Sequence, residues 1–107
     1  MTRLMLALLL ALPILALPIL AQAEVDGDEL LEDMLRPATR ELAAGYIDAV
    51  WKEWNGGGLF CIPEGDRQAL AFNAVRSYLE NNPDQRYRPR RYLIVQGLRG
   101  AYPCAAE

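Results

Sequence analysis

The sequence predicts an all-α fold: a small bundle of about four helices, whose last two form an antiparallel hairpin stapled by one disulfide. Three observations carry this. Apolar residues recur with helical spacing in four separate stretches, no stretch alternates with period two, and two cysteines bracket the last two helices.

The first apolar run is not part of that bundle. Arg3 precedes an uncharged run over residues 4–20, followed by Ala21-Gln22-Ala23. A basic start, an apolar middle and a small-residue A-x-A site are the layout of a secretory signal peptide. Cleavage is expected after Ala23. A membrane anchor is the alternative, but the run is at the short edge of spanning length. Pro13 and Pro18 also interrupt it, and proline inside a helix removes a hydrogen bond and clashes with the preceding turn. Residues 1–23 are therefore read as a signal peptide and residues 24–107 as a single helical domain, with no membrane contact after cleavage. A domain of that size has a thin core and often needs a staple or a partner.

Residues 24–27 are polar and read as a frayed lead-in. In residues 28–36, DELLEDMLR, the positions of Leu30, Leu31, Met34 and Leu35 form one helical face. Acidic residues at the start and Arg36 at the end match the helix dipole, and Pro37 breaks the run. Residues 38–54 form the longest periodic stretch. Leu42, Tyr46, Val50 and Trp54 recur every four residues, flanked by Ala43, Ile47 and Trp51, as a broad apolar stripe. Gly45 inside it costs about 1 kcal/mol relative to alanine, and a close helix approach would explain it. Asn55 and three glycines end this helix.

Residues 59–65 are a connector. Residues 67–81 read as the third helix, with Ala71, Phe72, Val75, Tyr78 and Leu79 on one side, stopped by Asn81-Asn82-Pro83-Asp84. The last helix is predicted over residues 89–101, with Pro89 in its first turn and Tyr92, Leu93, Ile94, Val95 and Leu98 as its apolar positions.

Composition narrows the chemistry. The chain has no histidine, and its one serine, Ser77, falls mid-helix. A Ser-His-Asp or Cys-His nucleophile is therefore impossible. Two distant cysteines do not make a soft-ligand metal site. VDGDELLED fails as a calcium loop, because counting from Asp26 places Leu31 where glycine is needed and Pro37 where glutamate is needed. Carboxylate pairs such as Asp28/Glu32 and Glu29/Asp33 read as solvated surface. Neither a catalytic residue, nor a metal, nor a cofactor is expected, and the protein is read as a non-enzyme. Residues 24–53 carry nine acidic and three basic side chains, whereas residues 54–107 carry five acidic and seven basic. Overall acidity argues against nucleic acid, which calls for a basic footprint.

Cys61 precedes the third helix and Cys104 follows the fourth. An exported chain meets an oxidising compartment, where two cysteines pair. Helices of about 15 and 13 residues are roughly 22 and 20 Å long, so the ends of an antiparallel hairpin meet. A Cys61–Cys104 bridge is predicted.

Residues 45–104 resemble the Rap/Tai-type immunity protein domain of type VI secretion systems. The matching pieces are Gly45-Tyr46-Ile47 with Asp48-Ala49, then FCIPEG at residues 60–65, YLENNP at residues 78–83, and AYPC at residues 101–104. The resemblance implies a small helical periplasmic protein that binds a cognate peptidoglycan-cleaving amidase effector and occludes its active site without turnover, in some members as a homodimer. Many relatives carry further cysteines upstream, where this chain reads Glu41-Leu42-Ala43-Ala44, so one bridge is expected here. Many also open the third helix with a Thr/Gln capping box. Here those positions are Arg67 and Leu70, and Asp66 is expected to cap instead. From another class, a disulfide-stapled periplasmic stress or chaperone-like binding module is the alternative.

Two groups are candidates for partner contact. Trp51 and Trp54 close the second helix beside the glycine-rich turn, where core packing competes with an interface role. In RYRPRR, Arg86, Tyr87, Arg88, Arg90 and Arg91 form an aromatic-bearing basic loop suited to carboxylate-rich surfaces. Arginines at a helix N-terminus oppose the dipole, which favours a role for them beyond solvation.

Overall fold

The computed structural model describes residues 24–105. The predicted signal peptide, residues 1–23, lies outside the described residues. Within them the chain forms α1 (Gly27–Leu35), α2 (Arg40–Trp54), α3 (Arg67–Asn81), a 3-10 turn (Pro83–Gln85) and α4 (Arg90–Ala101). No strand occurs among the described residues beyond two isolated bridges, Asp26 with Pro89 and Asn55 with Phe60. The all-α expectation holds. No helix among the described residues is long and apolar enough to cross a membrane.

Side-chain caps begin two of the helices. Asp26 Oδ1 accepts from Glu29 N at 3.0 Å, and Asp66 Oδ1 accepts from Ala69 N at 3.1 Å. Each satisfies one of the free amides of a first turn. Thr39, ahead of α2, makes no such cap. Its hydroxyl donates to Asp33 O at 3.0 Å, so it ties the start of α2 to the end of α1.

The core is one cluster drawn from all four helices. Leu30 and Met34 of α1, Ala43, Ile47 and Val50 of α2, and Ala71, Phe72, Val75 and Leu79 of α3 meet Leu93, Ile94 and Leu98 of α4. Helices α3 and α4 pack most extensively, as the predicted hairpin. A Cβ on Gly97 would stand 3.1 Å from Tyr78 Cβ and 3.5 Å from Val75 Cα, so glycine here lets the two helices approach.

The disulfide joins Cys61 to Cys104 with a Cα–Cα distance of 4.8 Å. Cys61 N also donates to Tyr102 O at 2.8 Å. The bridge closes the open end of the hairpin, as its placement in the sequence predicts.

Three expectations about packing are corrected. First, residues 24–27 are docked rather than frayed. Gly27 N donates to Arg86 O at 2.8 Å, and Arg90 N donates to Val25 O at 2.9 Å. Gly27 is buried, and a Cβ there would run into the Leu93 side chain and stand 3.0 Å from Arg86 Cα. Second, Leu42 is 76% exposed, although it belongs to the predicted stripe. A step of four residues turns about 40° past a full helical turn, so a row repeating every four drifts off the face that packs. The buried row is Ala43, Ile47 and Val50. Third, a Cβ at Gly45 would meet nothing within 4 Å, so no helix approaches it.

The connector contributes more than a link. Asn55 Oδ1 accepts from Ile62 N at 2.7 Å, and Gly56 N donates to Phe60 O at 3.0 Å. Positive φ at Gly56 (82°) and Gly58 (99°) makes this turn a place for glycine. The result drives Phe60 and Ile62 into the core, at 0% and 3% exposure, and turns Cys61 outward towards Cys104. The last helix starts at Arg90, one residue later than predicted, because Pro89 is extended (φ −60°, ψ 142°) and forms the boundary residue.

Candidate functional site

An open cleft of about 390 Å³ runs between the end of α2 and the start of α4. Tyr92 and Val95, three residues apart on one face of α4, line it together with Pro89, the residue before the helix. Trp54, the last residue of α2, and Leu59 from the connector form the opposite wall, with Glu24 and Arg91 as the charged lining. A second cleft of about 350 Å³ shares Glu24 and Arg91 and is completed by Val25, Tyr46 and Arg90.

The hydrogen bonds of the 82–90 loop build these walls. Arg86 donates through Nε to Asp28 Oδ1 at 3.0 Å and through Nη1 to Leu79 O at 2.9 Å, so it fastens α1 and the end of α3 to the loop. Arg90 lies 3.6 Å from the ring centroid of Tyr46, a cation–π stack. Arg91 Nη2 donates to Glu53 Oε1 at 2.7 Å. That hydrogen bond, with the charge of Glu53 behind it, raises the Arg91 guanidinium above its ordinary value, and Arg91 is charged at every working pH. The pair is exposed on both sides, and such pairs contribute little to stability.

Arg88, like Arg90, stands against aromatic rings and not against a carboxylate among the described residues. Its guanidinium carbon stands 5.0 Å from the ring centroid of Tyr92 and 5.4 Å from that of Tyr87. Its Nε donates to Gln85 Oε1 at 3.0 Å. Among the described residues no carboxylate pairs with it within 4 Å. Tyr87, Tyr92 and Trp54 are 68%, 40% and 39% exposed. An aromatic ladder therefore runs from the cleft wall at Tyr92, across Arg88, to Tyr87 at the rim.

The two predicted contact groups thus meet at one place, in part. Trp54 and Arg91 line the same cleft, and Arg88 and Tyr87 adjoin it through Tyr92. Trp51 does not: it is half-buried, packs against the core, and its indole donates to Asp48 Oδ1 at 2.8 Å. Arg86 and Arg90 are occupied by contacts within the molecule. Tyr92, Leu59 and Val95 were not among the candidates. Tyr92 and Val95 read as core positions in the last helix, and only their exposure places them in a cleft. No helical spacing marks the Arg88–Tyr92 contact in the sequence, because Arg88 lies outside α4, before the extended Pro89.

Among the described residues no group of three side chains is gathered to hold a metal ion. Of the carboxylates weighed for acid–base work, Asp28 pairs with Arg86 and Glu32 with Arg36 at 2.9 Å. What this surface offers is exposed aromatic rings beside arginines.

A model of the Rap1a immunity proteins matches residues 26–104. The chain belongs to that family. The match spans all four helices and both cysteines. Membership in the Rap1a immunity proteins makes the chain an immunity protein, one directed against a secreted effector that it binds. Comparison with curated proteins and with solved structures gave no match.

Proposed function

We propose that this Rap1a-family protein acts in the periplasm, where it neutralises a peptidoglycan-cleaving amidase delivered by type VI secretion, by equimolar binding that occludes the active site of the enzyme. The observation that carries the reading is the family match over a domain whose C-terminal helical hairpin is closed by a disulfide. A structural disulfide belongs with an oxidising compartment, and the leader at residues 1–23 has the layout of an export signal. A cell-wall enzyme arriving in that compartment is the effector that a small exported binder is placed to meet. Inhibition needs no chemistry from the immunity protein, only a rigid surface that competes with substrate.

The test is co-production of the full chain with exported cell-wall amidases. The expected result is that one amidase causes lysis alone and not when co-produced, and that the purified pair loses activity at equimolar ratio. Fractionation should recover the immunity protein from the periplasm, shortened to begin at Glu24. Inhibition of no cell-wall hydrolase, together with general protection of acid-stressed proteins, would move the protein to the chaperone-like reading.

A further inference from the structure

We propose that the cleft between Trp54 and Tyr92 is the surface on which the secreted effector docks. It takes a segment of the effector that carries an aromatic or large aliphatic side chain beside a carboxylate. The proposal rests on the reading of the chain as an effector-binding immunity protein.

The apolar half of the claim comes from exposure. Three aromatic side chains, Trp54, Tyr87 and Tyr92, are left open to water on one side of the molecule. Leu35 and Leu42, exposed elsewhere, do not line this cleft. Exposed apolar surface gathered into a cleft and rimmed by charge marks an interaction site, whereas single exposed leucines are ordinary. Tryptophan, tyrosine and arginine are also the residues that dominate binding energy at protein interfaces.

The acidic half comes from charge. Arg90 and Arg91 open α4 and Arg88 stands two residues before it, at an end where the helix dipole is already positive. Arg91 is neutralised by Glu53 and Arg90 is stacked on Tyr46. Arg88 and Arg90 each have aromatic neighbours and no carboxylate partner among the described residues, so together they outweigh Glu24, the acidic residue that lines the cleft. An incoming carboxylate relieves that excess and can take the two-pronged hydrogen bond a guanidinium offers.

The walls are also pre-ordered. Arg86 fastens the loop to α1 and α3, and Arg90 N is bonded to Val25 O. Little ordering entropy remains to oppose binding.

The experiment uses the mature chain and a displayed library of random peptides as the probe. Enriched peptides should pair an aromatic or large aliphatic residue with Asp or Glu. A synthetic copy of an enriched peptide should bind roughly thirtyfold more weakly to Trp54→Ala or Tyr92→Ala, and with unchanged affinity to Leu42→Ser. Arg88→Glu should select basic peptides instead, an inversion that loss of folding cannot produce. The inversion read with Arg88→Glu carries the test even if Trp54→Ala or Tyr92→Ala folds poorly. No enrichment, enrichment without the acidic pairing, or binding that survives Tyr92→Ala and Arg88→Glu overturns the proposal. So does self-association of the mature chain that Trp54→Ala abolishes, which would assign the cleft to a second copy. With an amidase in hand the two readings separate. Failure of the native chain to neutralise it counts against the amidase alone. Neutralisation that persists in Tyr92→Ala/Arg88→Glu counts against the cleft alone.

Discussion

Gly45 and Gly97 both stand inside helices, where glycine costs about 1 kcal/mol relative to alanine, but their surroundings differ. The Gly45 Cβ position opens onto empty space. Gly45→Ala should therefore raise the denaturation midpoint, by about 1 kcal/mol in stability. At Gly97 the new methyl would meet Tyr78 Cβ at 3.1 Å, an atom held by the α3 backbone. The helices would have to part, and overpacking of about 1–3 kcal/mol exceeds the propensity gain. Gly97→Ala should lower the midpoint in the same urea titration. The arginines divide by the same logic. Arg86 and Arg90 are identical in the sequence pattern to Arg88, yet their partners, Asp28 and Tyr46, lie 58 and 44 positions away along the chain.

At the scale of the element, the connector after α2 is the instructive piece. It reads as glycine-rich linker, yet it holds two core residues because Asn55 and the positive-φ glycines turn the chain back on itself. Phe60→Ala should cost about 3–5 kcal/mol, as expected for a fully buried aromatic. Asn55→Ala removes the acceptor for Ile62 N and should cost about 1–3 kcal/mol. Both are read as shifts in chemical denaturation. In α2, Ile47→Ala should cost about 2–5 kcal/mol. Leu42→Ser should stay within about 0.5 kcal/mol, since Leu42 buries little. The pair tests which side of the predicted stripe faces inward.

For the whole molecule, the disulfide matters through the length of chain it closes. Cys61 and Cys104 are 43 positions apart. Constraining the unfolded chain over that span is worth about 4 kcal/mol in the chain-entropy account, a large share of the 5–15 kcal/mol usual for a folded domain. The Cys61→Ser/Cys104→Ser variant should lose about that much, measured by urea titration against the oxidised protein. The bridge also fixes the open end of the α3–α4 hairpin, the pair of helices with the largest shared contact. The N-terminal segment works at the other end, through Gly27 N to Arg86 O and Arg90 N to Val25 O.

Helix positions, the stop signals and the Asp66 cap were legible in the sequence because each follows from residues within a turn or two of one another. The disulfide was legible because the expected export and the hairpin length both pointed to the same pairing of the two cysteines. The family could be read from short pieces whose order and spacing are preserved along the chain. Which residues are exposed was not legible. Tyr92 and Val95 carry a core-like pattern, Leu42 belongs to an apolar stripe, and Phe60 stands beside glycines. Their burial depends on what packs against them from distant positions. The cleft belongs to that second class. Trp54, Leu59 and Tyr92 become neighbours only when α2, the connector and α4 are placed side by side, and only tertiary structure decides that placement.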